Sequence, residues 1–243
     1  TGSPISYSRR KGLFMSKISN PLALKAGILC ALVHLMPSVS VLAQTSHTVV
    51  ENDQVKVLSV DVAPRQKTRL HDHKVNRVMI YLQPGMQTIE FQTGKKTILN
   101  WKAGEAKWSP ASGMHIAEIT SEQPVTIVEV ELKNVGTSAK AGSQPLDPLR
   151  VDPKHYKVEF ENAQVRVIRV RLGPKETIPL HEHALNRVVT YLTGQKVKVT
   201  TPDGKSEVSQ HKAGDVSWGG PAKHTEENLS DSPLEVVVVE LKG

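Results

Sequence analysis

Pro179-Leu180-His181-Glu182-His183-Ala184-Leu185-Asn186-Arg187-Val188-Val189-Thr190-Tyr191-Leu192 has a near copy about 110 residues upstream: Arg69-Leu70-His71-Asp72-His73-Lys74-Val75-Asn76-Arg77-Val78-Met79-Ile80-Tyr81-Leu82. Both read His-acidic-His, then Asn-Arg, an apolar run and Tyr-Leu. Side chains alternate faces along an extended strand, so the two histidines, the arginine and the tyrosine fall on one face. Asp72 and Glu182 fall on the other and are expected in solvent. Each half of the chain thus aims two imidazoles, a guanidinium and a phenol at one place.

The repetition extends outward from this stretch. Glu51-Asn52-Asp53-Gln54-Val55 returns as Glu161-Asn162-Ala163-Gln164-Val165, and Lys102-Ala103-Gly104-Glu105 as Lys212-Ala213-Gly214-Asp215. Trp108 matches Trp218, His115 matches His224, and the halves close on Val130-Glu131-Leu132-Lys133 and Val239-Glu240-Leu241-Lys242. Such a period is far longer than a solenoid repeat and reads as a duplicated domain. Period-two runs such as Val165–Arg171 and Lys196–Thr200, with a Pro-Asp-Gly turn at Pro202–Gly204, are strands. Pro233 to Leu241 reads as a fully buried last strand, and no helical period follows residue 50. The expected class is all-β, a sandwich or barrel in each half.

Residues 1–43 stand apart. Arg9, Arg10, Lys11, Lys17 and Lys25 precede the apolar run Ala26 to Met36, and small residues surround Ala43. That is the pattern of a cleaved secretory signal, with Met15 as a start site and a secreted or periplasmic destination. The run is short for a membrane span, which needs about 20 residues; an uncleaved anchor is the alternative. The chain of 243 residues carries a formal charge of +7 from 31 basic and 24 acidic residues. Removing the five basic residues of the leader leaves 26 against 24, a charge of +2. Nothing then argues for nucleic acid as a partner. Cys30, the only cysteine, leaves as well, excluding a thiol nucleophile and thiolate ligands. The expected organisation is leader 1–43, first barrel 44–133, a Gly-, Ser- and Pro-rich linker 134–153, and second barrel 154–243.

These motifs resemble the cupin superfamily, and specifically a bicupin: two tandem jelly-roll barrels of the conserved-barrel type. The first family motif is matched by Gly173, His181-x-His183 and Gly194; its first copy has His71-x-His73 and Gly85, one residue late. The second motif is matched by Gly104, Pro110, Gly113 and His115, and by Gly214, Pro221, His224 and Asn228, with Ile119 in place of the asparagine in copy one. The resemblance implies a divalent metal held by two histidines, a glutamate and the later histidine. Here Arg77 and Arg187 stand where the glutamate belongs, and a guanidinium has no lone pair to give. What remains is His71, His73 and His115 in one copy, and His181, His183 and His224 in the other. Three histidines suffice for Zn²⁺, or for Mn²⁺, Fe²⁺ or Ni²⁺. The family also implies a homodimer.

An inward arginine beside three imidazoles and a cation demands an anion. Glu226, two residues beyond His224, is the internal candidate in copy two; copy one has Ala117 there and no other nearby candidate. Otherwise the partner is a ligand, a small carboxylate or phosphate. The competing reading of Arg77 and Arg187 is an outward salt bridge. Tyr81 and Tyr191 serve either core packing or the ligand pocket, and Trp108 and Trp218 wall or cap each barrel or stack on a ligand. Asn228-Leu229-Ser230 has the form of a glycosylation sequon. Three functions remain open: a metal-dependent enzyme on a small organic anion, a metal-free binder of such anions, or a structural bicupin.

Overall fold

A computed structural model describes residues 44–134, 136 and 141–243. The leader expectation for residues 1–43 lies outside them. Two five-stranded and two four-stranded antiparallel sheets form. In the first barrel the larger sheet is ordered β1 (Gln44–Glu51), β2 (Val55–Val62), β9 (Val125–Leu132), β4 (Arg77–Tyr81) and β7 (Ala106–Ser109). Facing it is a sheet of β3 (His71–His73), β8 (Ser112–Ile119), β5 (Gly85–Phe91) and β6 (Lys96–Trp101). The second barrel repeats this order: β10 (Tyr156–Glu161), β11 (Val165–Leu172), β18 (Leu234–Leu241), β13 (Arg187–Tyr191) and β16 (Val216–Gly219) oppose β12 (Thr177–His183), β17 (Ala222–Asn228), β14 (Gln195–Thr200) and β15 (Ser206–His211). The all-β expectation holds.

The first hairpin of each barrel is set by an asparagine. Asn52 Oδ1 accepts from Gln54 N and Val55 N at 2.9 and 3.0 Å, and Asn162 Oδ1 does the same for Gln164 N and Val165 N. These Asx turns fix where β2 and β11 begin. At the Lys-Ala-Gly turns Gly104 and Gly214 take φ of 73° and 92°, which an L side chain rarely adopts.

The larger sheets are apolar on both faces, which is why β18 reads as a continuous Val run. One face of each points into its own barrel: Val60, Val62, Tyr81 and Ile127 in the first, Ile168, Val170, Leu234 and Val236 in the second. The opposite faces meet each other. Val55, Val57, Val78, Ile80, Val128 and Val130 form one buried cluster with Val165, Val167, Val188, Val237 and Val239. Each such side chain contributes roughly 1.5–3 kcal/mol when fully buried. The two copies are therefore two barrels with a common apolar interface. Polar pairs frame it with twofold reciprocity: Asn76 Nδ2 donates to Gln164 Oε1 at 2.5 Å, and Asn186 Nδ2 to Gln54 Oε1 at 2.6 Å. In each Asn-Arg pair the asparagine thus faces the other barrel, while the arginine faces its own interior.

The end of the linker is built into the second barrel. A single turn, α1 (Pro148–Val151), is capped by the buried Asp147, which accepts from Leu149 N at 3.1 Å. Leu146 O accepts from Glu182 N at 2.7 Å. Among the described residues no helix is long and apolar enough to cross a membrane.

Candidate metal and ligand sites in the two barrels

Strands β3 and β8 pair with His71 opposite His115, and β12 and β17 pair with His181 opposite His224. Because i and i+2 share a face, His73 and His183 join them, and each barrel acquires three imidazoles whose donor atoms lie within 4.8 Å of one another. Ring centroids are 4.5–5.3 Å apart in the first triad and 4.4–5.8 Å in the second. Both sequence-derived triads are thus assembled.

In the first barrel His71 Nδ1 lies 2.7 Å from Arg69 O and His115 Nδ1 lies 2.8 Å from Gly113 O. A carbonyl can only accept, so both Nδ1 atoms carry the proton and each Nε2 keeps its lone pair on the side of the triad. His71 Nε2 and His73 Nε2 are 3.2 Å apart. Burial, then the charge of Arg77 and the other histidines, lowers the His73 pKa to about 3, and burial lowers that of His115. Neutral imidazoles are the form a metal needs. The donor set and its tautomers fit a divalent transition ion. All three histidines line a cavity of about 390 Å³, shared with Arg77, Tyr81 and Trp108.

The stretch expected as one strand is broken between His73 and Arg77 into β3 and β4 of opposed sheets. Arg77 still points into the cavity with the histidines, but its neutralising partner corrects the sequence reading. That reading found no candidate carboxylate in copy one; the structure places Glu129 there, from β9, the neighbour of β4. Arg77 Nη1 donates to Glu129 Oε2 at 2.8 Å and Nη2 to Ser109 Oγ at 3.0 Å, with Nε buried and unpartnered. Side-chain exposure of the pair is 7 % and 12 %. Burial raises the Glu129 pKa while Arg77 opposes the rise. Glu131 also points inward, and with His73 and Glu129 forms a second cluster of metal-capable donors within 4.8 Å.

The second barrel differs in three places. Its histidines are all buried, His181 completely. His183 Nδ1 donates to Glu240 Oε1 at 2.8 Å, and Glu240, the counterpart of Glu131, is bound by Arg166 Nε at 2.7 Å. Arg166 in turn reaches Asp147 Oδ2 at 2.8 Å, closing a buried chain from the linker to the triad. Second, Tyr156 places its hydroxyl 3.0 Å from His181 Nε2. His181 Nδ1 is tied to Pro179 O at 2.9 Å, so the tyrosine is the donor. Burial is the main cause that lowers the His181 and His224 pKa to about 4 and about 3. Third, Arg187 donates through Nη1 to Gly220 O, and among the described residues no carboxylate bonds it. Glu226, the anticipated neutraliser, shares the cavity with Arg187, Tyr191 and Trp218. Its carboxyl makes no hydrogen bond among the described residues, and burial raises its pKa to about 7 against the pull of Arg187. Its partly buried side chain lines that cavity.

The tyrosines of the repeated stretch are packed. Tyr81 stacks on Trp101 at 4.2 Å and Tyr191 on His211 at 3.8 Å, with its hydroxyl 3.1 Å from Ser217 Oγ. Trp108 and Trp218 line the cavities and pack against the inter-barrel core. Asn228 is fully buried and its Nδ2 donates to Gly173 O and Ser232 O at 2.9 Å, so the sequon reading is replaced by a structural role.

No family model and no curated protein matches the chain in sequence. Solved structures do match. AerE from Microcystis aeruginosa superposes with a TM-score of 0.61 at 11 % identity, over 86 % of this chain and 95 % of that one. Oxalate decarboxylase from Bacillus subtilis superposes at 0.56 and 16 % identity, over 81 % and 71 %. A cupin 2 conserved-barrel protein from Leptotrichia buccalis gives 0.51 at 13 %, over 83 % and 90 %. These likenesses and the two superposable sheet orders define a bicupin fold.

Proposed function

We propose that this chain binds a small organic anion in its barrels, and that the first barrel does so at a divalent metal held by His71, His73 and His115. The observation that carries the reading is the pair of Nδ1–H donors anchored on Arg69 O and Gly113 O, which leave the Nε2 lone pairs to the triad and its cavity. A bound metal would supply a Lewis acid to polarise a carboxylate or carbonyl. The chain's own residues supply the rest. Glu129 offsets Arg77 and Glu131 adds one negative charge, so a divalent metal would still leave positive charge for an entering carboxylate to balance. Tyr81, Met79 and Ile127 give the cavity apolar walls, which shed water around a small ligand. The oxalate decarboxylase neighbours favour a metal but set neither the ion nor the reaction, since one fold hosts many chemistries. The leader composition supports a secreted or periplasmic setting.

Elemental analysis of the purified chain, with His115→Ala beside it, tests the reading. Near-stoichiometric transition metal lost on substitution supports it; a chain that takes up none of Zn²⁺, Mn²⁺, Fe²⁺ or Ni²⁺ refutes it. Turnover of small carboxylic acids by metal-loaded chain would separate an enzyme from a binder.

A further inference from the structure

The second cavity retains His183 and His224 in its walls but not His181, which is 0 % exposed. Both nitrogens of His181 are engaged, Nδ1 by Pro179 O and Nε2 by the Tyr156 hydroxyl. Tyr156 is itself only 2 % exposed, and packing holds its hydroxyl against His181. The lone pair a metal would need is therefore occupied by a built-in donor from outside the triad, whereas His71 Nε2 meets only its fellow triad member His73. The first barrel has Ser46 at this place: Ser46 pairs with Val60 as Tyr156 pairs with Val170, and it leaves the triad open to the cavity.

What the second cavity offers instead is a pair of opposite charges that do not bond each other. Among the described residues Arg187 spends one nitrogen on Gly220 O and Glu226 spends neither oxygen. Around them lie Val170, Val189, Val197 and Val199, in a volume of about 280 Å³. A simple anion would satisfy the guanidinium and leave Glu226 facing like charge. A molecule carrying both signs satisfies both, and desolvated charges bind well only when each is matched.

We propose that the second barrel is a metal-free site for a small zwitterion, an amino acid whose carboxylate meets Arg187, whose ammonium meets Glu226 and whose side chain lies on the valines. The proposal rests on the barrels being small-anion sites, and it is independent of metal in the first barrel.

The test uses the full chain after chelation, titrated calorimetrically with L-valine, with isovalerate, which lacks the amine, and with isobutylamine, which lacks the carboxylate. Valine is expected to bind best. Arg187→Met and the isosteric Glu226→Gln should each weaken valine by at least about tenfold, whereas Glu226→Gln should leave isovalerate unchanged or tighter. Thermal unfolding of each variant, with Glu226→Ala as a second truncation, separates lost binding from lost fold. In parallel, chain saturated with Zn²⁺ and desalted should retain no metal that His224→Ala removes, and Tyr156→Phe should add one equivalent. Isovalerate binding as tightly as valine, with Glu226→Gln without effect, overturns the zwitterion while leaving an anion site standing. Failure of all three probes overturns both. A metal equivalent in the unmodified chain that His224→Ala abolishes overturns the metal-free assignment.

Discussion

Arg77 and Glu129 are oppositely charged, close and nearly dry, and such a pair resists the loss of one member far more than of both. Arg77→Met leaves a buried carboxyl beside three imidazoles and should lower unfolding free energy by about 3–5 kcal/mol. The double variant Arg77→Met with Glu129→Met should recover most of that loss, read by urea denaturation of each single and the double variant. Additive costs would mean that the pair is not energetically linked. At this scale the sequence was informative about whatever a single strand decides. Parity along β3 placed His71 with His73, while Arg77 opens β4 in the opposite sheet and reaches the same interior because the two sheets face one cavity. Glu129 and Tyr156 were invisible for the complementary reason. Each meets its partner across a register between strands far apart in sequence, and each lacks a like counterpart in the other copy (Val238 and Ser46), so comparing the repeats passes over them.

At the scale of elements, the repeat predicted strands and turns well, because alternation and Pro-Asp-Gly chemistry are local. It did not reveal that the last part of the linker belongs to the second barrel. Asp147 and Arg166 join that segment to β11, and Glu176 holds the chain beyond it by accepting from Lys154 Nζ at 2.6 Å, Gly173 N at 2.7 Å and His155 Nε2 at 3.0 Å. Those contacts, Lys154 first, lower the Glu176 pKa to about 2. A carboxylate with a depressed folded pKa contributes stability above its unfolded value near 4.5 and loses it as pH falls toward about 2. Glu176→Gln should therefore narrow the gap between melting temperatures at pH 6 and pH 3. An unchanged gap would assign the acid sensitivity to other carboxylates. Asp147→Ala removes both the cap of α1 and a buried partner of Arg166, and should cost about 1–3 kcal/mol in denaturant unfolding.

For the whole molecule, the shared apolar face decides how the barrels behave together. The larger sheets hide Val57, Val130, Val167 and Val239 only against one another. The chain should therefore unfold in one cooperative transition, with calorimetric and van't Hoff enthalpies in agreement. A fragment of residues 141–243, which keeps Asp147 and α1, bares that face and should run as a dimer or larger species in light scattering, while co-expression with residues 44–133 should restore a one-to-one complex. Two separate transitions, or a monomeric soluble half, would contradict a common core. Composition gave no hint of this. Only the double-sided apolar pattern of β18, legible as a buried strand, implied that something had to cover its second face.

Beyond the shared pair Glu131 and Glu240, each barrel holds one further interior acid, on a different strand in each. The first barrel has Glu129 with Ala117 across the cavity; the second has Val238 with Glu226. Duplication thus left two answers to one problem of charge, each with an empty seat where its twin keeps the acid. Each barrel is a template for editing the other. Glu226→Ala with Val238→Glu should let Arg187 adopt the pairing that Arg77 has now, and should be more stable than the sum of the single changes by about 0.5–3 kcal/mol. Among descendants of the same duplication, the two seats should be filled in alternation, one acid per barrel.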